Sequence, residues 1–460
     1  MKRPLLTAIA LTATASFAQD TTKVNHATEN YATYDSTRVP ASPLPSGPFP
    51  SADWCNSPII GLPADASDYA LQKLLHLAKN KSRVKIYGWI DPSYTWSTSK
   101  SITVPVSYNI IPNSLQLSQA VLRIERQPNT VQTDHIDWGF RLSNVFGIDY
   151  RYTVAKGWFS NQYFKKNNLY GYDCPEAYFM LYIPKVAQGM ILKVGRYIAP
   201  ADIEAQLTID NYLYTHSVMF SYDAYTFTGI NATIKLSRQT QLMLGIQGGN
   251  DNAPWTNSFN INGQAMLRWV SKSNREGLWF GISSMGPNPT YKVDHDDIQQ
   301  VNAVWGHKFN KRLHMQTEAY FLWEKDAAHG GSASSGPVQY DAGGGPGYSI
   351  PGISKAIGVV NYFQILTTKK SYICIRTDYM NDMNGWRTGF ATQYGSETLG
   401  FVYQFTNWLM LRPEIRYDRT FGSYINNQYS STPVNAYDAN NPNGAKKDQV
   451  TFSVDMVVRF

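Results

Sequence analysis

The chain has 460 residues, of which 16% are charged and 14% aromatic, and its formal net charge is +7. Mean hydropathy is −0.35, and beyond the first eighteen residues no apolar run approaches the roughly twenty that a membrane-crossing helix needs, which excludes a helical membrane protein. The positive excess contains no basic run, so nucleic acid is not an expected partner.

Met1, Lys2 and Arg3 open the chain with positive charge. An apolar and small-residue run from Leu5 to Ala15 follows, and then Ser16-Phe17-Ala18, which reads as a cleavage site before Gln19. Residues 1–18 are therefore expected to be an export signal. From Gln19 to Ser67 the chain is rich in Pro, Ser, Thr and Ala, with seven prolines between Pro40 and Pro63 and no sustained period. Residues 19–83 read as a periplasmic leader. Near its end Asp68 can cap a short helix whose apolar face would be Leu71, Leu74, Leu75 and Ala78.

From Val84 the pattern becomes one of alternation. Strands are predicted over 84–97, 115–126, 135–146, 175–184, 190–198, 225–237, 241–248, 259–269, 277–285, 299–308, 313–324, 356–366, 371–379, 397–405, 409–418 and 449–460. In Leu409 to Asp418, the residues Leu409, Leu411, Pro413, Ile415 and Tyr417 oppose Met410, Arg412, Glu414, Arg416 and Asp418. In Ile136 to Ser143, Ile136, Trp138, Phe140 and Leu142 oppose Asp137, Gly139, Arg141 and Ser143. Pro413 donates no ladder hydrogen bond, so a bulge is expected there. In the last stretch Val450, Phe452, Val454, Met456, Val458 and Phe460 are apolar, while Thr451, Ser453, Asp455 and Arg459 fill all but one intervening place. A strand of that length, ending on an aromatic residue, suits an outer-membrane barrel, with Phe452 and Phe460 as the expected assembly signal.

The connectors alternate between long (419–448, 380–396, 325–355) and short (406–408, 367–370, 310–312, 238–240). A β-sandwich has no reason to produce that parity. The expected fold is an all-β, transmembrane, antiparallel up-and-down β-barrel over 84–460, with about sixteen strands, short periplasmic turns and long external loops. Outer-membrane lipids, the barrel-assembly machinery and further copies of the chain are its expected partners.

Six segments carry a resemblance: GWIDPSYTWSTS from Gly88, ERQPNTVQTDHIDWGFR from Glu125, YRYTVAKG from Tyr150, GRYIAPADIEAQ from Gly195, NDMNGWRTG from Asn381 and RPEIRYD from Arg412. In this order they resemble the putative β-barrel porin-2 family, the OmpL-like outer-membrane porins. The resemblance covers the whole strand region and implies passive diffusion of small hydrophilic solutes through a water-filled channel, without naming a solute.

No Lys or Arg occurs between Tyr197 and Ile234, whereas Asp202, Glu204, Asp210 and Asp223 all do. The segment contains the third long connector, the position that folds inward in many sixteen-strand porins. An acidic loop facing Arg376, Arg412 and Arg416, with Arg141, Arg196 and Glu414 nearby, would set a transverse field across a constriction. Alternatively, these charges pair with wall neighbours such as Asp378, Glu414 and Asp418. A sugar-type selective channel would use Tyr197, Tyr212 and Tyr214 for stacking, and a secreted all-β carbohydrate-binding protein would show the same alternation.

No enzymatic role, cofactor or metal is expected. His216-Ser217 lacks the H-x-S spacing of outer-membrane phospholipases, and adjacent strand residues point to opposite faces. Asp294 to Asp297 reads as a charge cluster in an outer loop, and the glycine-rich stretch 330–352 lacks the Lys and helix of a phosphate-binding loop. Cys55, Cys174 and Cys374 form no CxxC or CxxCH and read as unpaired thiols.

Overall fold

A computed structural model of the chain describes residues 69–77, 83–99, 103, 106–130, 132–158, 170–200, 202–237, 239–273, 275–290, 296–310, 312–331, 349–421 and 448–460. The export signal, most of the leader, Cys55, Asp294, His295 and most of the glycine-rich stretch lie outside the described residues.

Sixteen antiparallel strands close into one ring, each beside its chain neighbours and the last beside the first. They are β1 Val84–Ser97, β2 Leu115–Arg126, β3 Asp137–Gly147, β4 Gly171–Ile183, β5 Met190–Ile198, β6 Thr226–Lys235, β7 Thr240–Asn250 and β8 Asn262–Val270. The second half is β9 Glu276–Met285, β10 Gln299–Lys308, β11 Leu313–Lys325, β12 Ile353–Thr368, β13 Ser371–Asp382, β14 Thr392–Thr406, β15 Leu409–Thr420 and β16 Asp448–Arg459. Long connectors gather at one end of the barrel and short ones at the other. No helix among the described residues is long and apolar enough to cross a membrane.

The alternation is inverted relative to a soluble sheet. On β3, Trp138, Leu142 and Phe146 are exposed on the outer wall, while Asp137 and Ser143 are buried inside. On β15, Ile415 and Tyr417 face out, and Met410, Arg412, Glu414, Arg416 and Asp418 face in. An apolar outer wall fits hydrocarbon, and the closed ring leaves no strand edge to desolvate.

The inner face is packed rather than wetted at the positions expected to meet water. Ser143 and Ser453 are both buried: Ser143 Oγ donates to Glu176 Oε2 at 2.7 Å, and Ser453 shares a 2.9 Å hydroxyl bond with Thr95. In the half nearest the short connectors, inward positions carry Trp89, Met180, Met243, Met266, Trp279, Val402, Met410 and Val457, all fully buried. Val457 is the one break in the alternation of β16, and it belongs to this inner apolar belt.

The seam between β1 and β16 runs from Ser97 and Thr451 to Trp89 and Arg459 and ends on Phe460. Phe460 N donates to Gly88 O at 2.9 Å and Gly88 N to Phe460 O at 3.0 Å. The Phe460 ring lies where a Cβ on residue 88 would sit, 2.7 Å from Cζ. Below Phe460, β1 stays paired with β2 but extends past β16 on its other side, and helix α1 (Ala70–Leu74) packs there. Gln72 Oε1 accepts from Ile86 N at 2.7 Å. The helix therefore buries Gln72, not the leucines, and Leu74 and Leu75 are exposed. An unpaired backbone edge calls for a side chain that can hydrogen-bond, which overrides the apolar face read from spacing.

Pro413 produces no bulge. Its register against β16 is unbroken, and against β14 pairing lapses only between Leu411 and Glu414 before resuming in the same register. The register shift of the β14–β15 pair lies at Gln404 to Thr406, near the short turn, and another proline, Pro92, does sit at a shift, between β1 and β2.

Candidate pore constriction

Residues 199–225, between β5 and β6, run inside the barrel and are buried at nearly every described position. Two short 3-10 turns, Thr208–Asp210 and Phe220–Tyr222, fold the segment. Asp210 closes the first turn, and its side chain is outside the described set. The inserted loop is bonded to one side of the ring, from β11 round to β2.

Glu204 is the centre of one attachment. Its carboxylate accepts from Ser217 N at 2.8 Å, from the Ser217 and Tyr362 hydroxyls, and from Arg376 Nη1 at 3.4 Å. Arg376 also donates to Thr215 O, and Asp378 Oδ1 accepts from Val218 N at 3.0 Å. Glu414 accepts from Tyr214 N at 3.1 Å and from the Thr215 hydroxyl. Arg416 donates to His216 O and to Asp418 Oδ1 at 2.7 Å. Arg412 is ion-paired with Asp455 and donates to Thr208 O at 2.9 Å and Asn211 O at 3.0 Å. On the far flank Gln119 accepts from Thr208 N at 3.1 Å and donates to Gln206 O at 2.7 Å. Charge-assisted bonds of this kind are each worth about 1.5–3 kcal/mol, and a carboxylate shared by several donors orients them all.

Acidic loop and basic wall thus meet in contact rather than across open lumen. Arg376, Arg412 and Arg416 hold backbone carbonyls of the loop while their own charge is matched by Glu204, Asp455 and Asp418. Arg196 lies apart from this group: it forms a two-pronged pair with Asp173 at 2.8 and 2.9 Å. Arg141 is also separate, bound to Glu125 at 2.7 Å and Glu176 at 3.1 Å.

Asp202 makes a different contact. It lies against Asp223 and Glu318, and Glu318 accepts from Ile203 N at 2.7 Å. Burial, and then the nearby Asp223 charge, pushes the Asp202 carboxyl well above its ordinary range; burial and Glu318 do the same to Asp223. Asp378 was expected only as a wall partner of the arginines, and nothing in the sequence flagged Glu318, because a lone acid on an inward strand position has no local signature. The aromatic candidates are occupied: Tyr197 Oη donates to Gln264 at 3.0 Å, Tyr214 Oη to Ser93 at 2.9 Å, and Tyr212 leans on Tyr362.

His216 and Ser217 do not form a nucleophile pair. The imidazole stacks on Tyr108 at 3.9 Å and its Nε2 meets Ala205 O, while the Ser217 hydroxyl serves Glu204. Burial pushes His216 down to about 4. Cys174 and Cys374 are free and buried on β4 and β13. Asp296 is ion-paired with Arg387 at 2.7 Å, and among the described residues no group of three or more His, Cys, Asp or Glu is placed to hold a metal.

Residues 83–460 match the family described as "Putative beta-barrel porin-2, OmpL-like". The chain belongs to this family. It is an outer-membrane porin channel of the bacterial outer membrane. No curated protein matches the sequence. An anion-selective porin from Comamonas acidovorans has a similar structure, with TM-score 0.52 at 10% identity, covering 82% of this chain and 99% of that one. The outer-membrane channel DcaP of Acinetobacter baumannii gives TM-score 0.48 at 11% identity, covering 82% and 97%. Salmonella typhi OmpF in complex with daunomycin gives 0.49 at 14%, again covering 82% and 97%. At such identities the first of these likenesses speaks to the fold of this porin, a closed antiparallel barrel.

Proposed function

We propose that this porin passes small hydrophilic solutes by passive diffusion and that the inserted segment 199–225 sets the width of the path. The observation that carries this reading is the one-sided attachment of the segment: Arg376, Arg412, Arg416, Glu414 and Gln119 hold it against the arc from β11 to β2. A solute then passes between the loop and the opposite wall, β3 to β10. Asp202, Glu204, Asp210, Arg376, Arg412, Glu414 and Arg416 enter the proposal as the constriction group, with the three clamping arginines positioning the loop, while Arg196, held by Asp173, stands outside it.

The export signal at 1–18 and the leader at 19–83 belong to the same proposal, as does an assembly role for Phe460 and Phe452. We read the chain as a channel without catalytic activity, since its one adjacent His and Ser serve different partners. A sugar-stacking path gains no support, because Tyr197, Tyr212 and Tyr214 are buried in hydrogen bonds and ring contacts. Planar-bilayer recording of the purified full chain tests the proposal: stepwise conductance supports it, and an electrically silent, correctly folded barrel contradicts it. Self-association is tested by the mass of the unheated protein in detergent.

A further inference from the structure

The wall opposite the clamped loop contains a cation of a different kind. Lys193, inward on β5, is 3% exposed and lies over the rings of Tyr178, 4.7 Å from Nζ, and Tyr197, 5.4 Å away, with the Arg141 and Glu176 charges in its neighbourhood. Among the described residues it forms no ion pair. The nearest carboxylate in sequence register, Glu176, is already engaged by Arg123 at 2.8 Å and Arg141 at 3.1 Å. Two ring contacts are weak beside the cost of taking an ammonium out of water. The rings alone do not balance that burial.

A second unsatisfied donor lies in the same row. Lys193 is paired with Asn231 on β6, Asn231 with Gly245 on β7, and Gly245 with Gln264 on β8. Gln264 is likewise 3% exposed; its Oε1 accepts from Tyr197 Oη, and its Nε2 has no hydrogen-bond partner. Gly245 lets the Asn231 and Gln264 side chains approach each other across β7. A Cβ there would stand 2.6 Å from Gln264 Oε1 and 2.9 Å from Asn231 Cβ. The Tyr197 ring connects the two donors, touching Lys193 at its face and Gln264 at its hydroxyl.

We propose that Lys193, Asn231 and Gln264 form an anion-binding subsite on the β5 to β8 wall, and that the anion is a small carboxylate. One point charge and one amide N–H match the two oxygens of a carboxylate, and the flanking Tyr178 and Tyr197 faces suit a short apolar body. A multiply charged phosphate would call for several cations in one place, and this row holds one. The subsite rests on the porin reading and deepens it, giving the solute path a preference for anions.

The test is the reversal potential of the full-length protein in a planar bilayer under a potassium acetate gradient at low salt. Wild type is expected to favour acetate over potassium. Lys193→Gln removes the charge and should lower the acetate-to-potassium permeability ratio several-fold; Gln264→Glu should do the same by giving Lys193 an internal partner. If Lys193→Gln fails to yield a heat-modifiable barrel, Gln264→Glu decides. A ratio unchanged in the folded variants overturns the subsite and leaves the porin reading intact, whereas absence of conductance in wild type overturns both.

Discussion

The clamping arginines on the arc from β11 to β16 and Lys193 on β5 carry inward charge in opposite ways, although Arg196, also on β5, is paired with Asp173. On the arc, Arg376, Arg412 and Arg416 each have a carboxylate and each donate to a loop carbonyl. On β5, Lys193 has two aromatic rings and no ion-paired carboxylate among the described residues. Paired and saturated charges fix a structure and project little field. An unpaired charge attracts counter-ions. Counting basic residues on lumenal positions therefore does not locate selectivity; their partners do.

Removing a charge from each side sharpens the contrast most. Arg412→Met leaves Asp455 buried without its partner and should cost about 3–5 kcal/mol, read as a lower denaturant midpoint for loss of the heat-modifiable form. Lys193→Met removes a buried charge that no carboxylate balances and should be neutral or stabilising in the same assay. Equal losses at both sites would erase the distinction between the two kinds of charge.

A smaller effect is expected from Gly245→Ala. The added methyl meets Gln264 and Asn231 within 3 Å, so overpacking should cost about 1–3 kcal/mol. It should lower acetate preference without altering the loop. An unchanged reversal potential in that variant would mean that the row is only wall.

The loop also responds to pH through Asp202 and Asp223. Both are raised when docked, so docking favours their protonated forms; its full strength is present at acid pH and is lost as pH rises through the raised values. Glu204, Glu318 and Arg387 face the pair. Open-channel noise should accordingly increase with pH, and Asp202→Asn with Asp223→Asn should flatten that dependence. Identical pH profiles in wild type and double variant would remove these two acids from the account. The smallest effect belongs to the part-exposed outer pair His307 and Glu276, where His307→Ala should cost less than about 1 kcal/mol.

The strands were legible because one physical demand, an apolar outer wall, repeats every second residue. Val84–Ser97, Leu115–Arg126, Met190–Ile198 and Gln299–Lys308 begin and end where the alternation places them. The inner face was less legible, because its apolar belt and its packed serines answer to neighbours on other strands rather than to any period. Helix α1 shows the same limit: spacing offered Leu71, Leu74 and Leu75, but the open edge of β1 selected Gln72. The acidic loop was visible as a stretch without Lys or Arg, and Asp378 as a wall acid, whereas the contact of Asp378 with the loop, Glu318 and the lone Lys193 required the ring to be closed.

The central claim is that the Glu204–Arg376 ion pair and the charge-assisted hydrogen bonds around it hold segment 199–225 against one arc and so set the width of the path. Glu204→Gln combined with Arg376→Gln removes both charges of the contact at once and leaves neither member of the pair without its partner. Single-channel recordings of this variant should show larger or flickering conductance from a barrel that remains heat-modifiable. Conductance and noise identical to wild type would contradict the account.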